Sequence, residues 1–243
     1  MKILITNDDG IASPALPALA AWAKQLGEVT VVAPLVEQSG KSQALDFRNA
    51  VEIKRTTLAN ADEAWTVDST PADCVRFAYA GLKQTYDLVL SGINRGFNLG
   101  DDIAYSGTIG AIFEAARLDT KAIALSADVD KLDSALPLLN TVYEFIKEHK
   151  LLETANLLNI NFPSDECRGI TVTKQGGMFY SDDFVCKGPD LYLQVGEPVK
   201  CESQDLTVDI SAVRNGYVSI TPLTHVKTDL VAYEKIETLR KEI

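Results

Sequence analysis

Apolar positions along the chain fall into two textures that alternate. Residues 3–6, 29–33, 88–91, 122–126 and 157–162 are short, near-continuous apolar runs rich in β-branched side chains, the pattern of strands buried on both faces. Between them the spacing changes to that of helices. Residues 14–26 open with Ser13 as N-cap and Pro14 at the first helical position, Thr70 and Pro71 start a helix through Ala80, and 108–118 is a further one. Leu138, Val142, Phe145 and His149 mark a fourth at helical spacing. The alternation predicts an α/β fold with a doubly wound, mostly parallel sheet and helices on both faces.

The texture changes after Pro163. Short β-type runs broken by Gly, Pro and Asp, as in "KQGGMFYSDDF" and "CKGPDLYLQVGEPVKC", predict a β-hairpin arm. Leu230, Tyr233, Ile236 and Leu239, with Thr228 or Asp229 as cap, predict a terminal amphipathic helix. The expected organisation is a catalytic core over residues 1–162 and a β-rich extension over 163–243 that completes the fold and mediates oligomerisation.

Composition narrows the chemistry. With 34 acidic against 23 basic side chains, a formal charge of −11, the chain is not built to bind nucleic-acid backbone over an extended surface. No apolar stretch is long enough to span a membrane and acids follow the N-terminus at once, so a cytoplasmic protein is expected. Cys74, Cys167, Cys186 and Cys201 are widely spaced, the pattern of reduced thiols rather than a zinc site. With His149 and His225 the only histidines, a metal would be held mainly by oxygen.

Ligands of open parallel sheets bind where the strands end at their carboxyl edge, which directs attention to three polar loops. They are "NDDG", "PLVEQSGKS" and "GINRGFNLGDDIAYSGT". "SGKS" approaches a Walker A loop, but Leu35 stands where its first glycine is required. The first β-α turn lacks G-x-G-x-x-G, which disfavours an oxidoreductase of this fold. "NDDG" is no calcium loop, since Ile5 occupies the first ligand position. The remaining chemistry is a hard divalent cation: Asp8 and Asp9 as carboxylates, with neutral oxygen from Ser39 and Asn94. The competing reading is that the acids merely end the strand or cap the next helix. Ser106, Gly107 and Thr108 lie at a predicted helix start, suited either to phosphate or to simple capping.

"ILITNDDGI", "VVAPLVEQSGKS", "DSTPADCVRFA", "YDLVLSGINRGFNLGDDIAYSGTIGAIFEA" and "AIALS" resemble, in order, the blocks of the SurE (survival protein E) family, with later echoes in "LLNINFP" and "GYVSITPL". The resemblance implies a Rossmann-like core and a metal-dependent phosphatase acting on nucleoside monophosphates. The 5′-monophosphates lead, with 3′-monophosphates and polyphosphate as further candidates. It implies one divalent ion per subunit, Mg²⁺ or Mn²⁺, and a homodimer or homotetramer with exchanged C-terminal elements. Carried over by position, the metal ligands fall on Asp8, Asp9, Ser39 and Asn94, and the phosphate contacts on Asn98, Ser106, Gly107 and Thr108. Asp8, Asp9, Asn94, Asn98 and Ser106 form the expected catalytic set. Ala15, Ser69 and Ala115 stand where glycine is usual in the family, none of them a proposed ligand. The alternative function is a nucleotide-binding or sensing protein that does not hydrolyse.

Overall fold

The computed structural model describes residues 1–200 and 202–239. The first half runs β1 (Lys2–Thr6), α1 (Ala15–Ala23), β2 (Glu28–Pro34), β3 (Ile53–Thr56), β4 (Glu63–Val67), α2 (Pro71–Arg76), β5 (Leu88–Arg95) and α3 (Gly107–Arg117). It continues β6 (Lys121–Ala127), α4 (Leu132–Ala135), α5 (Leu139–Glu148), α6 (Leu151–Thr154) and β7 (Leu157–Asn161). The last third holds β8 (Gly169–Val172), β9 (Asp183–Gly188), β10 (Leu191–Val195), α7 (Asp209–Arg214), β11 (Tyr217–Leu223) and α8 (Leu230–Ile236).

One sheet takes nine strands in the order β3-β4-β2-β1-β5-β6-β7-β11-β8. From β4 to β7 all neighbours are parallel, while β3 and β11 pair antiparallel to β4 and β7. Strand side chains alternate between faces, so each apolar run feeds two cores. Ile3 and Ile5 join Leu16, Leu19 and Ala23 of α1 and Leu139, Val142 and Ile146 of α5 on one face. Leu4, Val32 and Val89 meet Cys74 and Val75 of α2 and Ile109 and Ile112 of α3 on the other. The chain leaves β1 outward to β2 and later returns to β5 on the other side of β1, which makes the β1/β5 boundary the topological switch point.

Some local expectations are revised. Ser13 does not cap α1 with its side chain: its carbonyl accepts the Leu16 N–H at 3.2 Å, but its buried hydroxyl has no partner among the described residues. Pro14 already has helical φ and ψ, so the chain enters α1 through the turn closed by Ser13 N–H on Gly10 C=O. That helix ends at Ala23 rather than Leu26, because the chain turns back past Met1, where a Cβ on Gly27 would lie 2.0 Å from the Met1 carbonyl oxygen. Thr70 caps α2 as expected, accepting the Asp73 N–H at 3.2 Å, and the helix runs on through a wider turn over Phe77–Gly81.

Past Pro163, β11 and β8 extend the main sheet, whereas β9 and β10 form a separate hairpin that exposes Phe184, Leu191, Tyr192 and Leu193. α8 is capped by Asp229, whose carboxylate accepts the Ala232 N–H at 2.9 Å, and leaves Leu230, Val231, Tyr233 and Ile236 exposed. Cys74, Cys167 and Cys186 are free thiols, and Cys201 lies outside the described residues. No described helix is long and apolar enough to cross a membrane.

Candidate active site

The loops after β1, β2 and β5 meet at the switch point because parallel strands deliver their carboxyl ends to one edge. The first two loops are laced together: the Ile11 N–H reaches Pro34 C=O at 2.8 Å, and the Gln38 N–H reaches Asp8 C=O at 2.7 Å. Gly10, at φ +89°, lets this happen, since a Cβ there would meet the Val36 carbonyl carbon at 3.1 Å. The end of β5 is tied to Asp9, whose carboxylate accepts the Arg95 N–H at 3.3 Å.

Asp8 is only 4% exposed, and the fully buried Thr108 hydroxyl donates to its Oδ1 at 2.5 Å. Burial pushes the Asp8 carboxyl above its ordinary range, opposed by the Thr108 hydroxyl and backbone amide and reinforced by Glu37. Burial and the neighbouring Asp8 charge push Asp9 up to about 6, with the Arg95 amide and guanidinium as partial counterweights. Two adjacent carboxylates held above their usual range are short of positive charge, and a cation would supply it. No three His, Cys, Asp or Glu side chains converge on a metal-sized space among the described residues, so a cation here would take neutral oxygens as well. The donor set at this edge, two carboxylates with amide and hydroxyl oxygens, fits Mg²⁺ or Mn²⁺.

Of the expected neutral ligands, Ser39 sits on the loop after β2, whereas Asn94 lies near the end of β5, which runs on to Arg95 rather than ending at Ser91. Asn94 donates from Nδ2 to Gly96 C=O at 2.8 Å, which leaves its Oδ1 without a partner among the described residues. Ser39 is exposed, its hydroxyl turned to Glu37 Oε1 at 2.7 Å.

α3 begins directly above Asp8. Ser106 is its N-cap, accepting the Ile109 N–H at 3.2 Å and keeping its own O–H to donate. A Cβ on Gly107 would lie 2.9 Å from Asp8 Cβ, so only glycine lets the helix come this close. The Thr108 hydroxyl is therefore committed to Asp8, while Ser106 and the first-turn amides remain the groups able to receive an anion. Asn98 is buried, with Nδ2 donating to Ser126 Oγ at 2.8 Å and one amide N–H left over.

Sequence reading missed several supports. Asn159 and Asn161, both fully buried on β7, bind the Asn98 backbone. Two asparagines at a spacing of two inside the apolar "LLNINFP" were the available signal. Glu114 on α3, 1% exposed, pairs with Arg76 at 2.7 Å and Arg117 at 2.9 Å and accepts Gln43 at 3.0 Å, so the β2 loop lies flat on α3. Asp209, fully buried, accepts the Gly100 and Gly176 N–H groups at 2.9 and 2.8 Å and ties the β5 loop to the segment before the hairpin.

Comparison with known proteins shows the family and the fold. The family model "Survival protein SurE" matches residues 3–182. The chain belongs to the SurE family. Among SurE relatives, the "5'/3'-nucleotidase SurE" of Yersinia enterocolitica is 39% identical over 241 residues, covering 96% of this chain and 94% of its own. The "5'-nucleotidase SurE" of Acinetobacter baumannii is 38% identical over 262 residues, with both chains covered in full. The crystal structure of SurE from Aquifex aeolicus superposes with a TM-score of 0.82 at 34% identity, covering 98% of each chain. The mostly parallel α/β sheet expected from the alternating pattern, and the Rossmann-like core that the family resemblance implied, are thus the fold of a SurE structure.

Proposed function

We propose that this chain is a nucleotidase, a phosphoric monoester hydrolase that converts nucleoside monophosphates to nucleoside and phosphate. The observation that carries the reading is the buried Asp8 carboxylate beneath the N-terminus of α3, beside a second carboxylate that shares its charge deficit. Full-length relatives named 5′- and 5′/3′-nucleotidases support it over a protein that only binds nucleotide.

Asp8, Asp9, Ser39 and Asn94 would hold a divalent ion, Mg²⁺ or Mn²⁺. When bound, that ion supplies charge neutralisation and a water acidified enough to attack phosphorus. The chain does the rest. Thr108 fixes the Asp8 carboxylate in one orientation, and Gly107 brings the positive end of α3 to the same point. The first-turn amides, the Ser106 hydroxyl and the spare Asn98 N–H are donors for phosphate oxygens as charge moves toward the leaving group. Ser39 can turn from Glu37 to the ion at the cost of one exposed hydrogen bond.

The exposed apolar side chains of the β9/β10 hairpin and of α8 support a homodimer or homotetramer in which these C-terminal elements are exchanged. The division into a core over 1–162 and an extension over 163–243 is one of role, since β8 and β11 join the same sheet. Phosphate release from a panel of 5′- and 3′-monophosphates, with Mg²⁺ or Mn²⁺ and with EDTA, tests the activity. EDTA-sensitive release is expected, and its absence across the panel would overturn the reading.

A further inference from the structure

Asparagine is a costly residue in a buried strand, because its amide must be hydrogen-bonded or forfeit its hydration. β7 buries two, Asn159 and Asn161, and both direct their amides at one residue of a neighbouring loop. Asn161 Oδ1 accepts the Asn98 N–H at 2.9 Å while its Nδ2 donates to the Asn98 C=O at 3.0 Å, so one side-chain amide grips both polar groups of one residue. Asn159 Nδ2 adds a second donor to that carbonyl at 2.8 Å. Ser126 Oγ then accepts the Asn98 side chain at 2.8 Å.

The strand register shows where this grip is anchored. Asn94 on β5 lies opposite Ser126 on β6, Ser126 lies opposite Asn161 on β7, and Asn161 lies opposite Ser219 on β11. A polar row therefore crosses the carboxyl edge of the sheet from β5 to β11, beginning at a proposed metal ligand and passing directly beneath the loop that carries Asn98. Helices and loops can drift by fractions of an ångström, but a row set by strand pairing cannot move without breaking the sheet.

We infer that Asn161, with Ser126, is a positioning residue for the reaction: it holds Asn98 so that the side-chain amide meets the phosphoryl group, without itself touching substrate. This rests on the nucleotidase reading above. A misplacement of about 1 Å can cost roughly a hundredfold in rate when the group acts in the transition state.

The test is a double-mutant cycle on turnover of a nucleoside 5′-monophosphate, using the full chain loaded with Mg²⁺ or Mn²⁺. Asn161→Leu in the wild-type background is expected to lower kcat at least about tenfold with KM changed by less than about threefold. In an Asn98→Ala background the same substitution is expected to change kcat by less than about twofold, because the group it positions is gone. Equal losses in both backgrounds would overturn the inference, showing that Asn161 acts through the fold at large. Should Asn161→Leu fail to fold, Ser126→Ala, a smaller change at the side-chain end of the grip, runs the same cycle with the same two outcomes. A wild-type chain that releases no phosphate overturns the nucleotidase reading itself, whereas an active wild type with multiplicative losses overturns only the positioning role.

Discussion

Replacing Thr108 by valine keeps its volume and β-branching but deletes the hydroxyl that donates to Asp8 Oδ1 at 2.5 Å. Both residues are buried, so no water substitutes for the lost donor. A hydrogen bond to a charged acceptor contributes about 1.5–3 kcal/mol. Loss of a group that orients a metal ligand typically weakens metal binding about ten- to a hundredfold. At 1.4 kcal/mol per decade that is about 1.4–2.8 kcal/mol, so the two scales agree. Losing this donor also pushes the Asp8 carboxyl further up, so protons compete harder for the site. The expected result by calorimetric titration is a Mn²⁺ Kd raised about ten- to a hundredfold at neutral pH, and more at pH 6, with kcat at saturating metal within about tenfold of wild type. An unchanged Kd would refute the orienting role. A hundredfold fall in kcat at unchanged Kd would return the hydroxyl to the phosphate.

Ser106→Ala removes both a helix cap and a proposed phosphate donor; it is expected to cost about 1 kcal/mol in a melt and about a hundredfold in turnover, and normal turnover would leave it only a cap. The Asp9 carboxyl, raised to about 6, binds its proton more tightly folded than unfolded. Its stabilising contribution to the metal-free protein is therefore full below about pH 4, the ordinary carboxylate range, and lost as pH rises through about 6. In EDTA the melting temperature should fall across that interval, and Asp9→Asn should flatten the fall; an unaltered profile in the variant would assign the dependence to other groups. Deleting residues 227–243 should lower the oligomer order in light scattering, and an unchanged number of subunits would remove α8 from the proposed interface.

The strands β1, β2, β5, β6 and β7 were legible because burial on both faces writes continuous apolar runs into them. β3, with the sequence Ile-Lys-Arg-Thr at the sheet edge, and β4, half polar, carry no such run and went unread. β11 was visible only as a motif echo; its Pro222 sits near the end of the strand, where it is exposed. At the site, Asp8, Asp9, Ser39 and Asn94 could be gathered because each lies at or just past the carboxyl end of a strand, and those ends must lie at the same edge. The Thr108–Asp8 bond and the Asn161–Asn98 grip join residues separated by 100 and 63 positions. No local spacing encodes such pairs. Only the crossing of α3 over β1, and the register of β6 and β7, brings them together.

The strand order also sets a schedule for synthesis. β8 is made before β11, yet its only neighbour in the sheet among the described residues is β11, which slots between it and β7. At ribosomal rates of roughly 5–20 residues per second, the fifty or so residues from the end of β8 to the end of β11 take roughly 3–10 s to appear. Throughout that interval β7 has one open edge on the nascent chain, and it is the edge beside Asn161. The site can thus assemble its acidic end early, while the strand beneath Asn98 waits for β11 to be translated.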